Sequence, residues 1–198
     1  MALSAQDKIL YVANKLGLST LNQMQGSTGA VYDVDTDISG QIFSSASRHQ
    51  NPGVTNLTQN EFEVNEALLV ETIAFYAFDS ATGETFNLQT AYGSEAVIVF
   101  DLIIGNKTTM KTTPVFTAGS PYTFASAGIN SANNGSLIPR HQVYMEGAGV
   151  LIPPQVQWSV NYRVFDLVTG ATILPTDAFA IGCYLFGTRV LLNFNTSI

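Results

Sequence analysis

The stretch from Ile152 to Phe194 constrains the fold more than any other part of this chain. It opens on Ile152-Pro153-Pro154. Val156, Trp158, Val160, Tyr162 and Val164 then occupy every second position, with Gln157, Ser159, Asn161 and Arg163 between them. Alternation of period two sends one set of side chains to each face of a strand, so this segment predicts a half-buried strand whose inward residues are Val156, Trp158, Val160 and Tyr162. A turn-rich stretch from Asp166 to Thr176 follows. The run from Ala178 to Phe194, almost wholly apolar and carrying Gly182 and Gly187, then predicts a long buried strand. Two such strands suit a closed β-sandwich.

Upstream the same signal recurs. Glu66 to Phe78 places Thr72, Ala74, Tyr76 and Phe78 on one face and Ile73, Phe75 and Ala77 on the other. Asp79-Ser-Ala-Thr-Gly83 is a turn. Glu95 to Ile104 is nearly continuous in apolar residues, as expected of a strand covered on both faces. Gly105-Asn106 closes it, and a Thr-rich strand from Lys107 to Val115 follows. Residues 117–137, with Asn133-Asn134-Gly135, read as a long surface loop. Gln142 to Glu146 and Gly149 to Ile152 add short strands. Seven to nine strands at this spacing, with no βαβ crossovers, predict an antiparallel sandwich over residues 61–198.

The N-terminal part reads differently. Ser4 with Asp7 three residues later resembles a capping box, and Gly17 fits the position just past a helix end. Between them Ile9, Val12, Ala13 and Leu16 form a stripe at helical spacing. A helix of about three turns needs a surface on which to bury that stripe, either its own β-domain or a neighbouring subunit. Residues 18–60 are rich in Ser, Thr, Gln, Asn and Gly, and no basic residue occurs between Leu16 and Ser47. Only Ala30 to Ile38 suggests a strand. This composition predicts that residues 1–60 are a helix and an extended arm ordered by contact with another subunit.

The chain has 198 residues, enough for one domain with an arm, and only 12% of them are charged. Ser, Thr, Asn and Gln far outnumber the charged residues, so the surface is mostly neutral and polar. The net charge of −7 and eight scattered Lys and Arg argue against a phosphate-binding surface, so no direct nucleic-acid binding is expected. Cys183 stands alone, which excludes a disulfide framework and reads as a small buried hydrophobe. The first residues lack the basic start and apolar core of a signal peptide, and no apolar run reaches about 18 residues; synthesis in a cytoplasm and no membrane span are expected.

Candidate chemistry is sparse. Asp33-Val-Asp-Thr-Asp-Ile-Ser-Gly40 has the acidic alternation of a calcium loop, yet Ile38 stands where an EF-hand needs Gly and Ser44 where it needs Glu. Asp33, Asp35 and Asp37 therefore read as acids on the solvent face of a strand, with calcium open only through ligands from a neighbouring subunit. His49 and His141 each follow an arginine and lack the spacing of a zinc site. No Gly-x-Ser-x-Gly elbow is present. Glu61, Glu63, Glu66 and Glu71 read as a solvated strand edge. Trp158 with Tyr162 reads as core, the other reading being a sugar-stacking platform. No cofactor, no metal and no enzymatic activity are expected.

An N-terminal helix, a low-charge arm and a β-domain ending in Leu151-Ile-Pro-Pro-Gln-Val-Gln-Trp-Ser-Val-Asn-Tyr162 and Ile181-Gly-Cys-Tyr-Leu-Phe-Gly-Thr-Arg189 resemble single jelly-roll capsid and virion structural proteins of icosahedral viruses and bacteriophages. The likeness covers residues 60–194 in layout and about 25 residues in motif, and the chain departs from many of those proteins in lacking a basic arm. The resemblance implies an all-β jelly-roll sandwich and a homo-oligomeric shell, vertex or decoration subunit. Such a subunit would be located in the virion and contact copies of itself and other virion proteins. The alternative is a carbohydrate- or receptor-binding β-sandwich such as a fibre tip or lectin-like module, using Trp158, Tyr122 or Tyr144.

Overall fold

The computed structural model describes residues 4–18, 24–44, 54–86, 88–93, 96–115, 141–144, 149–174 and 179–192. In chain order they form helix α1 (Ala5–Leu16) and strands β1 (Met24–Asp35), β2 (Gln41–Ile42), β3 (Glu66–Asp79) and β4 (Thr85–Phe86). A short helix α2 (Leu88–Tyr92) comes next, then β5 (Ala96–Ile104), β6 (Lys107–Val115), β7 (His141–Tyr144), β8 (Val150–Ile152), β9 (Trp158–Asp166), β10 (Thr172–Ile173) and β11 (Phe179–Leu192). The protein is mostly β, in two antiparallel sheets. One has the order β1-β11-β3, and β8, β7 and β4 tile in succession along the far edge of β3. The other has the order β9-β5-β6, with β2 and β10 sharing the outer edge of β9. The expected loop at 117–137, with its Asn133-Asn134-Gly135 turn, lies outside the described residues, as do His49 and Tyr122.

The core lies between the sheets. From β9 come Trp158, Val160, Tyr162 and Val164, all buried, as the alternation predicts. Val156 precedes the strand and is half-buried, its Cγ1 beside Gly105 of the β5–β6 turn, so it does not head the inward row. Opposite stand Ile73, Phe75 and Ala77 of β3 and Ile181, Cys183 and Leu185 of β11. Phe75 and Phe100 meet across the layers at 5.2 Å, and Phe43 and Phe62 flank Trp158 at 4.3 and 5.9 Å. Fully burying side chains of this size contributes roughly 1.5–3 kcal/mol each before ordering costs.

One irregularity organises the first sheet. Phe186 pairs with Thr72 but Gly187 pairs with Val70, so Glu71 is an extra residue in β3. This bulge reverses the parity of the strand: Leu68 and Val70 face the core on one side of it, Ile73, Phe75 and Ala77 on the other. Gly187 is required there, because a Cβ would lie 1.9 Å from the Leu69 carbonyl oxygen.

α1 has the capping box read from the sequence. The Asp7 N–H donates to the Ser4 hydroxyl, the Ser4 N–H donates to the Asp7 carboxylate, and Gly17 ends the helix at φ 70°. Its stripe rests on the chain's own sheet. Val12 is buried with Ala67, Leu69, Val190 and Leu192, Leu16 packs beside them, and Ala13 is also buried. Ile9 lies over Gly26, where a Cβ would sit 2.7 Å from the Ile9 Cδ1. Lys8 pairs with Glu71 at 2.8 Å, and Glu71 also accepts from the Thr188 hydroxyl.

The expected inter-subunit arm therefore takes another form wherever it is described. Apolar surface on the back of β3 and β11 is at hand within the chain, and Ile9, Val12, Ala13 and Leu16 use it. Residues 24–35 are a strand paired with β11 from Met24↔Leu192 to Asp35↔Ile181, and residues 41–42 pair with β9.

Candidate functional site

The inner face of β1 presents Val31, Asp33 and Asp35 to the core, opposite Leu185, Cys183 and Ile181. The acids expected on the solvent face are thus buried: Asp33 is 1% and Asp35 0% exposed. A buried carboxylate needs donors, and the β1–β2 connection supplies them. The Asp35 Oδ2 accepts from the Gly40 N–H at 2.7 Å and from the Tyr162 hydroxyl at 2.9 Å, and its Oδ1 accepts from the Ser39 hydroxyl at 2.9 Å. The Asp33 Oδ2 accepts from the Phe43 N–H at 2.7 Å. The connection they hold is strained: Ile38 and Phe43 adopt φ of 54° and 61°, the left-handed region that costs non-glycine residues energy. Tyr162 belongs to the second sheet, so Asp35 also ties the two layers together.

Asp33 and Asp35 face the core while Asp37 is exposed in the turn. Among the described residues no three His, Cys, Asp or Glu are grouped to hold a metal ion. Outside this connection runs an open groove lined by Gln41, Asp101, Asn161 and Arg163. Trp158 is 2% exposed between Phe43 and Phe62, so it offers no face to a sugar. Burial pushes the Cys183 thiol well above its ordinary value, and nearby Asp33 adds to the effect. Burial likewise raises the Tyr76 phenol, with Cys183 and Asp33 contributing. Both groups are held neutral.

A second constellation sits at one end of the sandwich, where α2 contacts both β3 and β5. Asp79-Ser-Ala-Thr-Gly-Glu84 and Asp166-Leu-Val-Thr-Gly-Ala171 fold into the same turn. The Asp79 Oδ1 accepts from the N–H groups of Ala81 and Thr82, and the Gly83 N–H donates to the Asp79 carbonyl. The Asp166 Oδ1 accepts from Val168 and Thr169, and the Gly170 N–H donates to the Asp166 carbonyl. These bonds hold both carboxyls below the ordinary Asp value, led by the Ala81 N–H for Asp79 and the Thr169 N–H for Asp166. The shared Asp-x-x-Thr-Gly is a plain sequence repeat that a strand-by-strand reading passes over. The second turn exposes Leu167 and Val168, the latter 77% exposed, with Leu174 just beyond it.

Among the described residues the basic side chains do not gather. Lys8 and Arg189 pair with Glu71 and Glu66, Lys15 lies over the Tyr11 ring, Arg163 over that of Phe165, and Lys107 and Lys111 lie on β6. Glu66 and Glu71 are thereby ion-pair partners, more than a solvated edge. No helix among the described residues is long and apolar enough to cross a membrane. Comparison with protein families, with curated proteins and with solved structures finds no match to this chain.

Proposed function

We propose that this chain is a jelly-roll structural subunit of a virion, a shell, vertex or decoration protein that assembles with copies of itself and with other virion proteins. The strand order carries the reading. β4 and β10 are short additions to edges, and β7 and β8 form one interrupted edge. Counting the remaining strands from one to eight, one sheet runs first, eighth, third, sixth and the other second, seventh, fourth, fifth. Every successive pair but the fourth and fifth, which form a hairpin, changes layer, an order in keeping with the doubled Greek key of jelly rolls, an architecture common in capsids. Fold alone does not fix function. What this chain adds is a surface with only 12% charged residues, and large apolar side chains exposed at Val168 and Leu174. Both suit a subunit that packs against others. Assembly follows synthesis in a host cytoplasm.

Electron microscopy and light scattering of the purified full chain at rising concentration test this. Rings, shells or defined oligomers are expected. A monomer at every concentration overturns it.

A further inference from the structure

Among the described residues the two sheets have four edges, and three carry devices that discourage pairing with another chain. The edge of β3 is covered by strands of only 2, 4 and 3 residues, and that of β9 by two strands of 2 residues each. β6 is longer, but it bears Lys107, Lys111 and Pro114, Thr112 at φ 50°, and register shifts against β5. β1 is the exception. It is 12 residues long, its pairing with β11 is unbroken, and from Met24 to Ala30 it has no charge and no proline.

Half of this edge is plugged from within. The Asn56 side chain imitates a neighbouring peptide group: its Nδ2 donates to the Ala30 carbonyl at 2.8 Å and its Oδ1 accepts from the Tyr32 N–H at 2.9 Å. The Thr55 hydroxyl also donates to the Tyr32 carbonyl. These bonds fix the direction of the strand's polar groups. Because they alternate along a strand, the N–H and C=O of Gly26 and Thr28 point outward with those of Ala30 and Tyr32, while Ser27 and Gly29 face β11. Among the described residues nothing hydrogen-bonds to the outward groups of Gly26 and Thr28, and Gln25 to Thr28 are all exposed.

From this contrast we infer that the Met24–Gly29 edge of β1 is a self-association surface, and that its partner is the same edge of a second copy. An incoming strand must itself be free and unprotected, and among the described edges of this chain only β1 qualifies. Two such edges meet antiparallel about a twofold axis, joining the two β1-β11-β3 sheets into one. Each copy carries a net charge of −7, and this neutral segment lets them approach without local repulsion. Asn56 limits the pairing to the part before Ala30. The inference rests on the self-assembly reading and names one of its contacts.

The test uses the full chain and the variant Thr28→Pro, which removes an outward N–H and leaves the β11 ladder intact; Gly26 is unsuitable because of Ile9. Sedimentation over a concentration series is read beside amide exchange of Gly26 and Thr28 in the unaltered chain. The expected result is association that Thr28→Pro weakens at least about tenfold, through two lost hydrogen bonds per dimer, with the thermal midpoint retained. Gly26 and Thr28 amides should become protected as concentration rises. If the chain assembles while those amides exchange equally fast at all concentrations, the edge inference is overturned and the assembly reading stands. If it stops at a dimer with protected amides, the edge inference stands and the shell reading falls. A strict monomer overturns both.

Discussion

Asp35 and Asp166 do the same chemistry in opposite surroundings. Each accepts hydrogen bonds that hold a connection between strands. Asp166 is at the surface, and its donors, Val168 and Thr169, lie within the turn it begins. Asp35 is buried, and its donors are Ser39 and Gly40 nearby and Tyr162 in the other sheet. The exposed acid shapes a turn that water would otherwise solvate. The buried one decides how one layer sits on the other, since it accepts from the Tyr162 hydroxyl of the second sheet and from the Gly40 N–H of its own connection.

The most severe test of this contrast is Asp35→Ala, which leaves the Tyr162 hydroxyl and the Gly40 N–H without this acceptor. It should lower stability by roughly 3–5 kcal/mol in chemical denaturation. A loss no larger than that of Asp166→Ala would break the comparison. Tyr162→Phe isolates the link between layers and should cost about 1–3 kcal/mol, the range for removing one partner of a buried hydrogen bond. An unchanged denaturation midpoint would place the whole effect of Asp35 in its own connection.

The surface turns should show themselves through pH. Both carboxyls are held below their ordinary value, so their stabilisation is complete above the unfolded value of about 3.9 and is lost as pH falls through the lower folded values. The double variant Asp79→Asn, Asp166→Asn should therefore lose less thermal stability than the unaltered chain on acidification below about pH 4. Parallel curves would remove these turns from the acid response. The smallest effect belongs to Val168→Thr, which should change stability by no more than about 0.5 kcal/mol, because that side chain points into solvent. A larger loss in the isolated chain would mean that the turn packs on something within it.

Legibility followed the surroundings of each element. The β9 alternation was readable because one face of that strand meets the core and the other meets water. The α1 boundaries were readable because a capping box and a terminal glycine are local devices. β1 was only partly legible, through the strand suggested at Ala30 to Ile38, and its extent and facing were obscured for two physical reasons. Its first half, Met24 to Thr28, gains little from burial and carries no apolar period. Its second half turns aspartates inward and Tyr32 outward, inverting the pattern that marks a core strand. The buried acids could not be recognised from spacing, because the donors that satisfy them come from a strained loop and from Tyr162, far along the chain. The surface on which α1 docks was hidden for a related reason. The Glu71 bulge puts Ala67 and Leu69 on the outer face, a change of phase that strict alternation does not register.

The place of β11 between β1 and β3 has a consequence for how the chain is made. Only the short β2 stands between those two strands in chain order, yet neither bonds to the other; each pairs along its length with a strand that leaves the ribosome about a hundred residues after β3. Until residues 179–192 emerge, β1 and β3 wait with open flanks and the bed for α1 is incomplete. Long-range pairing of this kind is slow and leaves adhesive strands uncovered. The first sheet is therefore completed only once β11 has been made, and a nascent chain halted before it keeps those strand flanks uncovered.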